Sequence, residues 1–296
     1  MYAQLRGNNQ GVVKLIGGGI PKSESLGEIT IEKETPNSAW IDGNLNHAMI
    51  VVSMATEIAI KKGKEMGMSL VGIHGIASSS GAIGFYARKI AQAGLIGQVF
   101  AGSMETVAAH GSFEPLFGTN PLAIGVPTEG EPLVLDMATA AMAYFGLVEA
   151  KTAGKSIPEG IAYDAEGNLT TDPGLAMDGA LKTFDNGHKG VGLSMMTQIF
   201  TGPLVGAYFT GLGDVKNNWA GHLIVAFDPE LLGGLKNFKS GVTEMIKKTK
   251  ASKPLPGVTE IFVPGERGDR QTQEVIKTGE IEIEENLWKA LLEKSQ

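Results

Sequence analysis

An α/β fold is what this sequence predicts, and three observations predict it. Runs with strand spacing alternate with runs of helical spacing along most of the chain. The 41 glycines gather at the ends of these apolar runs, where tight loops between many short elements need them. Apolar residues fill 43% of the 296 positions and charged ones only 19%, enough to bury a core in one large domain or two smaller ones. Neither G-x-G-x-x-G nor G-x-x-x-x-G-K-[ST] occurs, so a Rossmann domain or a phosphate loop is not indicated.

The elements follow in order. After a polar opening, 28–33 and 39–41 read as short strands, and Asp42, Gly43 and Asn44 turn the chain toward a helix. Ala48, Val51, Val52, Ala55, Ile58 and Ala59 repeat at helical spacing, and Lys61, Lys62 and Lys64 suit that helix's negative carboxyl end. A buried strand at 70–73 leads through the polar loop 77–81 into a helix with the stripe Ile83, Tyr86, Ala87 and Ile90. Strands are predicted at 96–100, 122–126 and 133–136, then a helix from about Thr139 to Lys151. The 156–172 stretch, with turn-type residues at 164–168, reads as a surface hairpin. The apolar run 191–205 is a helix that ends or kinks at Pro203. A strand at 223–227 and a helix carrying Leu235, Phe238, Val242, Met245 and Ile246 complete the pattern, with no internal repeat and no clean linker.

Composition excludes several function classes. A formal charge of -7 with scattered lysines argues against nucleic acid and for a small-molecule partner. The absence of cysteine removes disulfides, thiolate metal sites and cysteine nucleophiles, and suits a reducing compartment, with cytoplasm the default. No stretch reads as a signal peptide or a membrane span. None of His47, His74, His110, His188 and His222 stands at a metal-ligand spacing, so no metal is expected.

The segments that can carry chemistry each have a plainer explanation. Residues 186–190, just before an apolar helix, either cradle a phosphate with amides and Lys189 or form an ordinary loop. Thr119, Asn120 and Pro121 are polar punctuation before a strand. Asp136 ends a strand, where ligands often sit, or simply caps a helix starting near Thr139. Pro264 to Gly268 is a charged turn. His47, His74 and His222 look structural, whereas His110, in a loop, is the default candidate for acid or base work.

Taken in order, Gly118-Thr-Asn-Pro-Leu-Ala-Ile124, Val134-Leu-Asp-Met-Ala-Thr139, Ile157-Pro-Glu-Gly160 with 164–168 and 171–173, Gly187-His-Lys-Gly190 and Pro264-Gly-Glu-Arg-Gly268 resemble the malate/L-lactate dehydrogenase family over nearly the whole chain. The resemblance implies a non-Rossmann, mixed-sheet NAD(P)-binding domain with a second helical or α+β part. It places the cofactor part near 76–214 and a substrate and dimerisation part at 1–75 and 215–296. It also implies a homodimer whose active site draws on both chains. Hydride would pass from NAD or NADP in reduced form to the carbonyl or imine carbon of a 2-oxoacid-like substrate. Cofactor contacts would fall on Thr119 and Asn120, on Asp136, Met137, Ala138 and Thr139, on His188 and Lys189, and on Glu266 and Arg267.

The resemblance has two gaps. Where the family reads roughly Arg-Gly, Asp, Ser-His-Gly and a following Arg, this chain reads Arg6-Gly-Asn-Asn-Gln-Gly-Val-Val-Lys14. Asn9 thus stands for the serine, Gln10 for the histidine and Lys14 for the arginine, while Ser79 takes the place of a second family histidine. The family's preceding helical segment is largely missing, which implies an internal or misassigned start at Met1, or a shortened product. A glutamine cannot give up a proton near neutral pH and a lone serine is too weak an acid. Three alternatives follow: His110 or Lys14 supplies the proton, the substrate is an imine already protonated, or the chain is a catalytically impaired cofactor-binding protein of the same fold. Lys14 can also hold a substrate carboxylate as a point charge.

Overall fold

The computed structural model describes residues 1–20, 27–213 and 220–295. Two short helices, Tyr2–Leu5 (α1) and Gln10–Ile16 (α2), form where the sequence suggested only a polar opening. Thr30–Thr35 (β1) and Ser38–Asn46 (β2) make an antiparallel hairpin. Ala48–Met66 (α3) then carries the chain back so that Met68–Ile76 (β3) lies parallel to β2, the crossover that a parallel pair requires. Gly67, in the left-handed region at φ 81°, ends α3 and turns the chain directly into β3.

Gly84–Gln92 (α4), Ile96–Ala101 (β4), Val107–Ala108 (β5), Pro115–Phe117 (β6), Leu122–Val126 (β7) and Leu133–Met137 (β8) follow. Tyr144–Thr152 (α5), Ala162–Tyr163 (β9), Pro173–Asp178 (α6), Ala180–Leu181 (β10) and His188–Thr201 (α7) come next. His222–Phe227 (β11), Leu235–Lys250 (α8), Glu266–Thr278 (α9) and Glu285–Ser295 (α10) end the chain.

The larger sheet has the order β1-β2-β3-β11-β4-β7-β8 and is mixed, with β2 and β3 parallel and the other neighbours antiparallel. Its strands bury alternate residues on one face, among them Ile41, Ile73, Val99 and Ile224, against Val51, Val52 and Ala55 of α3 and Tyr86, Ala87 and Ile90 of α4. Each large aliphatic side chain so buried contributes about 1.5–3 kcal/mol. A smaller sheet, β6-β5-β10-β9, packs with α5 and α6 around Val107, Leu147, Ile157 and Leu181. The seven-stranded sheet draws β1, β2, β3 and β11 from one of the two expected parts and β4, β7 and β8 from the other. The bound at 75 falls inside β3, and the one at 215 lies outside the described residues.

One sequence-derived boundary is corrected. The helix expected from Thr139 begins at Tyr144. Thr139 is tied by its backbone N–H and its hydroxyl to the carbonyl of Thr119, at 2.9 and 3.0 Å, and Ala140 bridges Thr183. The Thr139 carbonyl, which a helical turn would need as acceptor, instead accepts from the amide of Phe184 at 3.0 Å, so the first turn does not start there. The 156–172 hairpin is present, closed by the Tyr163–Leu169 bridge, and α7 stops before Pro203.

Helix α7 is apolar in composition yet inverted in burial. It buries Ser194, Thr197, Gln198 and Thr201 and leaves Met195 and Met196 49% and 46% exposed, with Ile199 and Phe200 also open. Among the described residues no helix is long and apolar enough to cross a membrane.

His222 opens β11 between β3 and β4, and neither ring nitrogen has a hydrogen-bond partner among the described residues. Complete burial pushes its pKa down from 6.5 to about 4. An unfolded chain takes up this proton below pH 6.5, whereas the folded chain resists it until about pH 4, so this group costs stability as pH falls through that window. The full cost is about 3 kcal/mol. Urea unfolding of the wild type and His222→Leu should therefore diverge progressively between pH 7 and 4, the variant losing less; parallel curves would show that His222 does not titrate on unfolding.

Candidate active site

The site is organised by the end of β8. Asp136 does not cap the next helix, as the plainer sequence explanation had it. Its Oδ2 accepts from the backbone N–H of Gly84, 2.8 Å away, and so holds the start of α4 against the edge strand. Only glycine permits this approach, because a Cβ at position 84 would stand 2.7 Å from the same oxygen. Asp136 opens on a cavity of about 590 Å³ that is also lined by Arg6, Asn8, Phe262 and Arg267. Its surface is open to the cavity, but protein closes around it. This recess raises the carboxyl above its ordinary value, against the opposing pull of the Gly84 amide, Lys14 and Arg6.

The cavity is cationic on its far wall. Arg6 is held by Asp269 and by the carbonyl of Gly265 at 2.7 Å, and Arg88 reaches the same Asp269 at 2.5 Å. The Arg267 guanidinium lies 4.6 Å from the Phe262 ring centre and faces solvent. Glu266 is turned elsewhere: it pairs with Lys250 and Arg270 and accepts from the Val263 amide at 3.2 Å, which braces the loop before α9.

On the other side of Asp136 lies Lys14, on α2. Lys14 is 8% exposed, with its ammonium 5.4 Å from the ring centre of Phe145 of α5. Burial brings it down to about 8, while Asp136 pulls it upward. Asn9 joins α2 to α5, donating to Glu149 Oε1 at 2.9 Å and accepting from Gln4 at 3.1 Å. The Asn9 amide is therefore committed at both ends. Gln10, half-buried, starts α2. The Ser79 amide donates to the carbonyl of Gly19 at 2.9 Å, and its hydroxyl accepts from Gly81 at 3.2 Å. Ser79 thus positions the chain that follows α2.

A continuous strip leads away from this point. Thr119 accepts both bonds from Thr139, and its hydroxyl meets that of Ser103 at 3.2 Å. Met137 pairs with Leu122 across the sheet, and Ala138 packs on the second core. Thr139 in turn accepts from the amide of Phe184, at the root of the loop before α7. Asn120 points inward: fully buried at φ 36°, it donates to Gln198 at 2.6 Å and to Ser194 at 3.2 Å, satisfying the polar side chains that α7 buries.

The phosphate cradle suggested at 186–190 is not built as expected. Asp185 accepts from the amides of Gly187 and Gly190, both at 3.0 Å, and so occupies the amino end of α7 itself. Some loss of hydration pushes the exposed Asp185 carboxyl up, but these amides and the Thr183 hydroxyl outweigh it and hold it below its ordinary value. What remains for an anion is the exposed pair His188 and Lys189. His110 sits in a separate, small cavity of about 20 Å³ with Ser112, Lys182 and Asn186, its ring centre 6.3 Å from that of His188.

The predicted residues thus fall on one path from His188 and Lys189, past Thr119 and Thr139, to Asp136, Lys14 and Arg267. A dinucleotide fits it in kind: an extended strip with basic side chains at both ends and a pocket-sized cavity at one of them. Sequence reasoning missed Asp185 and Phe145. Asp185 carried a readable signal, an Asx residue two positions before a glycine and a helix; Phe145 carried none.

Residues 11–292 match the family model described as malate/L-lactate dehydrogenase. The L-sulfolactate dehydrogenase of Methanothermobacter thermautotrophicus is 38% identical over 271 residues, covering 90% of this chain and 77% of that protein. A reductase of Pseudomonas putida named for delta(1)-pyrroline-2-carboxylate and delta(1)-piperideine-2-carboxylate is 32% identical, covering 83% and 72%. The solved sulfolactate dehydrogenase of Methanocaldococcus jannaschii superposes with a TM-score of 0.81 at 32% identity, covering 99% of this chain and 86% of that one.

If Asp185 holds the amino end of α7, Asp185→Ala should lower the urea midpoint of unfolding, and Asp185→Asn, which keeps an acceptor, should recover most of the loss. An unchanged midpoint in Asp185→Ala would contradict the assignment.

Proposed function

The chain belongs to the malate/L-lactate dehydrogenase family of oxidoreductases, and we propose that it reduces a small 2-oxo or 2-imino acid with NADH or NADPH, acting in reverse as a 2-hydroxyacid dehydrogenase. The observation that carries this reading is the convergence on one recessed carboxylate, Asp136, of a cationic cavity on one side and a buried lysine on the other. A small carboxylate-bearing substrate suits such a place, since the cations of the cavity, Arg6 and Arg267, attract it.

In this assignment Thr119 and Asp136 to Thr139 line the cofactor's path, His188 and Lys189 meet its phosphates, and Arg267 closes over it. Asn120 and Glu266 keep these loops in place from behind. The cofactor is then held by the 76–214 part with help from the loop before α9. When bound, a reduced nicotinamide supplies a hydride to the carbonyl or imine carbon. The protein orients the acceptor, excludes water and delivers the proton. An imino acid fits the missing histidines well, because an imine protonated in solution brings its own proton, and the Pseudomonas putida relative is named for two cyclic imino acids.

A homodimer belongs to the same reading. A helix that buries serine, threonine and glutamine while presenting Met195, Met196, Ile199 and Phe200 to solvent is covered by something apolar in its working state. Leu204, Trp40 and Leu70 extend the patch, with Trp40 bonded to the carbonyl of Val205 at 2.9 Å. A second copy of this face is the economical partner, since like patches pair about a two-fold axis.

Oxidation of NADH and NADPH with a panel of 2-oxoacids and cyclic imino acids, beside cofactor binding by fluorescence on the same sample, should give turnover with at least one member. Tight cofactor binding with no turnover would instead mark a catalytically impaired binding protein. Sedimentation should give a dimer, and Met196→Glu with Ile199→Glu should shift it to monomer; a wild type that stays monomeric at high concentration would contradict the interface.

A further inference from the structure

We propose that Asp269 is a positioning residue, holding the Arg6 guanidinium in the wall of the 590 Å³ cavity as the receptor for the substrate's carboxylate; this rests on the reductase reading above. The two arginines that line this cavity differ in how they are held. Arg267 is exposed, with its guanidinium over the Phe262 ring. The Arg6 side chain is 15% exposed and has a built seat. One terminal nitrogen donates to Asp269 Oδ1, the other donates to the carbonyl of Gly265 at 2.7 Å, and the Tyr2 ring centre lies 5.2 Å from the guanidinium carbon. Each terminal nitrogen keeps a second N–H, and such a pair is what a carboxylate takes in parallel hydrogen bonds. Asn8 lines the same cavity; its carbonyl oxygen accepts from the Gln10 amide at 2.9 Å, so its NH2 group is a further donor.

The backbone leaves room for this one side chain. A Cβ at Gly268 would stand 2.7 Å from Arg6 Nε and 2.8 Å from its Cζ, so the guanidinium fills the space that a side chain there would take. The acid that holds it is also shared. Arg88 of α4 donates to the same Oδ1 of Asp269, so this carboxylate neutralises neither guanidinium in full, and Arg6 retains charge for an incoming anion.

Arg88 stands one helical turn after Gly84, whose amide is held by Asp136. One stretch of α4 thereby ties down the carboxylate wall of the cavity and, through Asp269, its Arg6 wall. Asp269 is not itself among the residues lining the cavity, so it acts on a ligand through Arg6.

The first test is calorimetric titration of oxamate into the intact protein, saturated with whichever of NADH and NADPH it binds. Asp269→Asn keeps the acceptor and loses the charge, whereas Gly268→Ala keeps every charge and crowds the guanidinium. Each should weaken oxamate binding about tenfold or more. Arg6→Gln should weaken it at least as much, and adding either change to Arg6→Gln should alter Kd by less than about twofold. A structural role elsewhere would carry over into that background. Undiminished effects there, or wild-type affinity in either single variant, overturn the proposal and leave the reductase reading standing. A wild type that binds no oxamate overturns it too, and if it also turns over no acid in the panel above, the reductase reading falls with it.

The second test needs neither cofactor nor activity. Phenylglyoxal labelling of the intact protein, read at each arginine by peptide mass spectrometry, should modify Arg6 more slowly than Arg267. Asp269→Asn should quicken Arg6 and leave Arg267 far less affected. An Arg6 whose rate ignores Asp269→Asn overturns the proposal. So does a wild type in which Arg6 labels as fast as Arg267, a comparison that stands even where a variant folds too poorly to titrate.

Discussion

The Asp136 carboxylate leaves an edge strand to accept the first amide of α4, and three parts of the molecule depend on where it sits. Through Gly84 it fixes α4 against β8, at the outer edge of the seven-stranded sheet. On its open side it forms part of the wall of the cleft, together with Arg6 at the end of α1 and Arg267 of α9. On its inner side it offsets the burial of Lys14. A carboxylate so placed costs stability through lost hydration and returns it through charge and a backbone hydrogen bond. The balance is characteristic of a site kept for chemistry.

The second constraint is the inverted helix α7. Its small and polar residues face the protein because Asn120 needs partners there and because Gly102 and Gly221 come close to Thr201. Its large apolar residues are thereby left outside. The same loop-and-helix junction carries Asp185, which ends the chain's approach to α7 and leaves His188 and Lys189 to face solvent. The proposed cofactor strip and the proposed dimer face therefore both involve α7, and a change in its position would be felt at both.

Much of this was legible in the sequence, and the parts that were not share a physical reason. Strand and helix periodicity located the seven strands of the larger sheet and helices α3, α4, α7 and α8; α3, α4 and the inner strands bury a continuous face, whereas β1 is largely exposed and α8 buries only Val242. The helices α1, α2, α9 and α10 bury few side chains apiece and left no clear stripe. The α5 start was misplaced because Thr139 is held by Thr119, twenty residues away, a contact that no local rule contains. In the same way the sequence pointed to Lys14, Asp136 and Arg267 separately, through their resemblance to a family pattern. That Lys14 is nearly buried on Phe145 and shares Asp136 with the cleft is a tertiary fact. The resemblance also carried the proposed cofactor segments, yet it was silent on Asp185, whose carboxylate takes the Gly187 and Gly190 amides at the start of α7.

The most direct test of this account is a crystal structure with NADH or NADPH and an unreactive 2-oxoacid analogue such as oxamate. The account predicts the phosphates beside His188 and Lys189, the nicotinamide at the cleft beside Asp136, and the analogue's carboxylate among Arg6, Asn8 and Arg267. A nicotinamide bound away from Asp136, or an analogue bound outside this cavity, would contradict it.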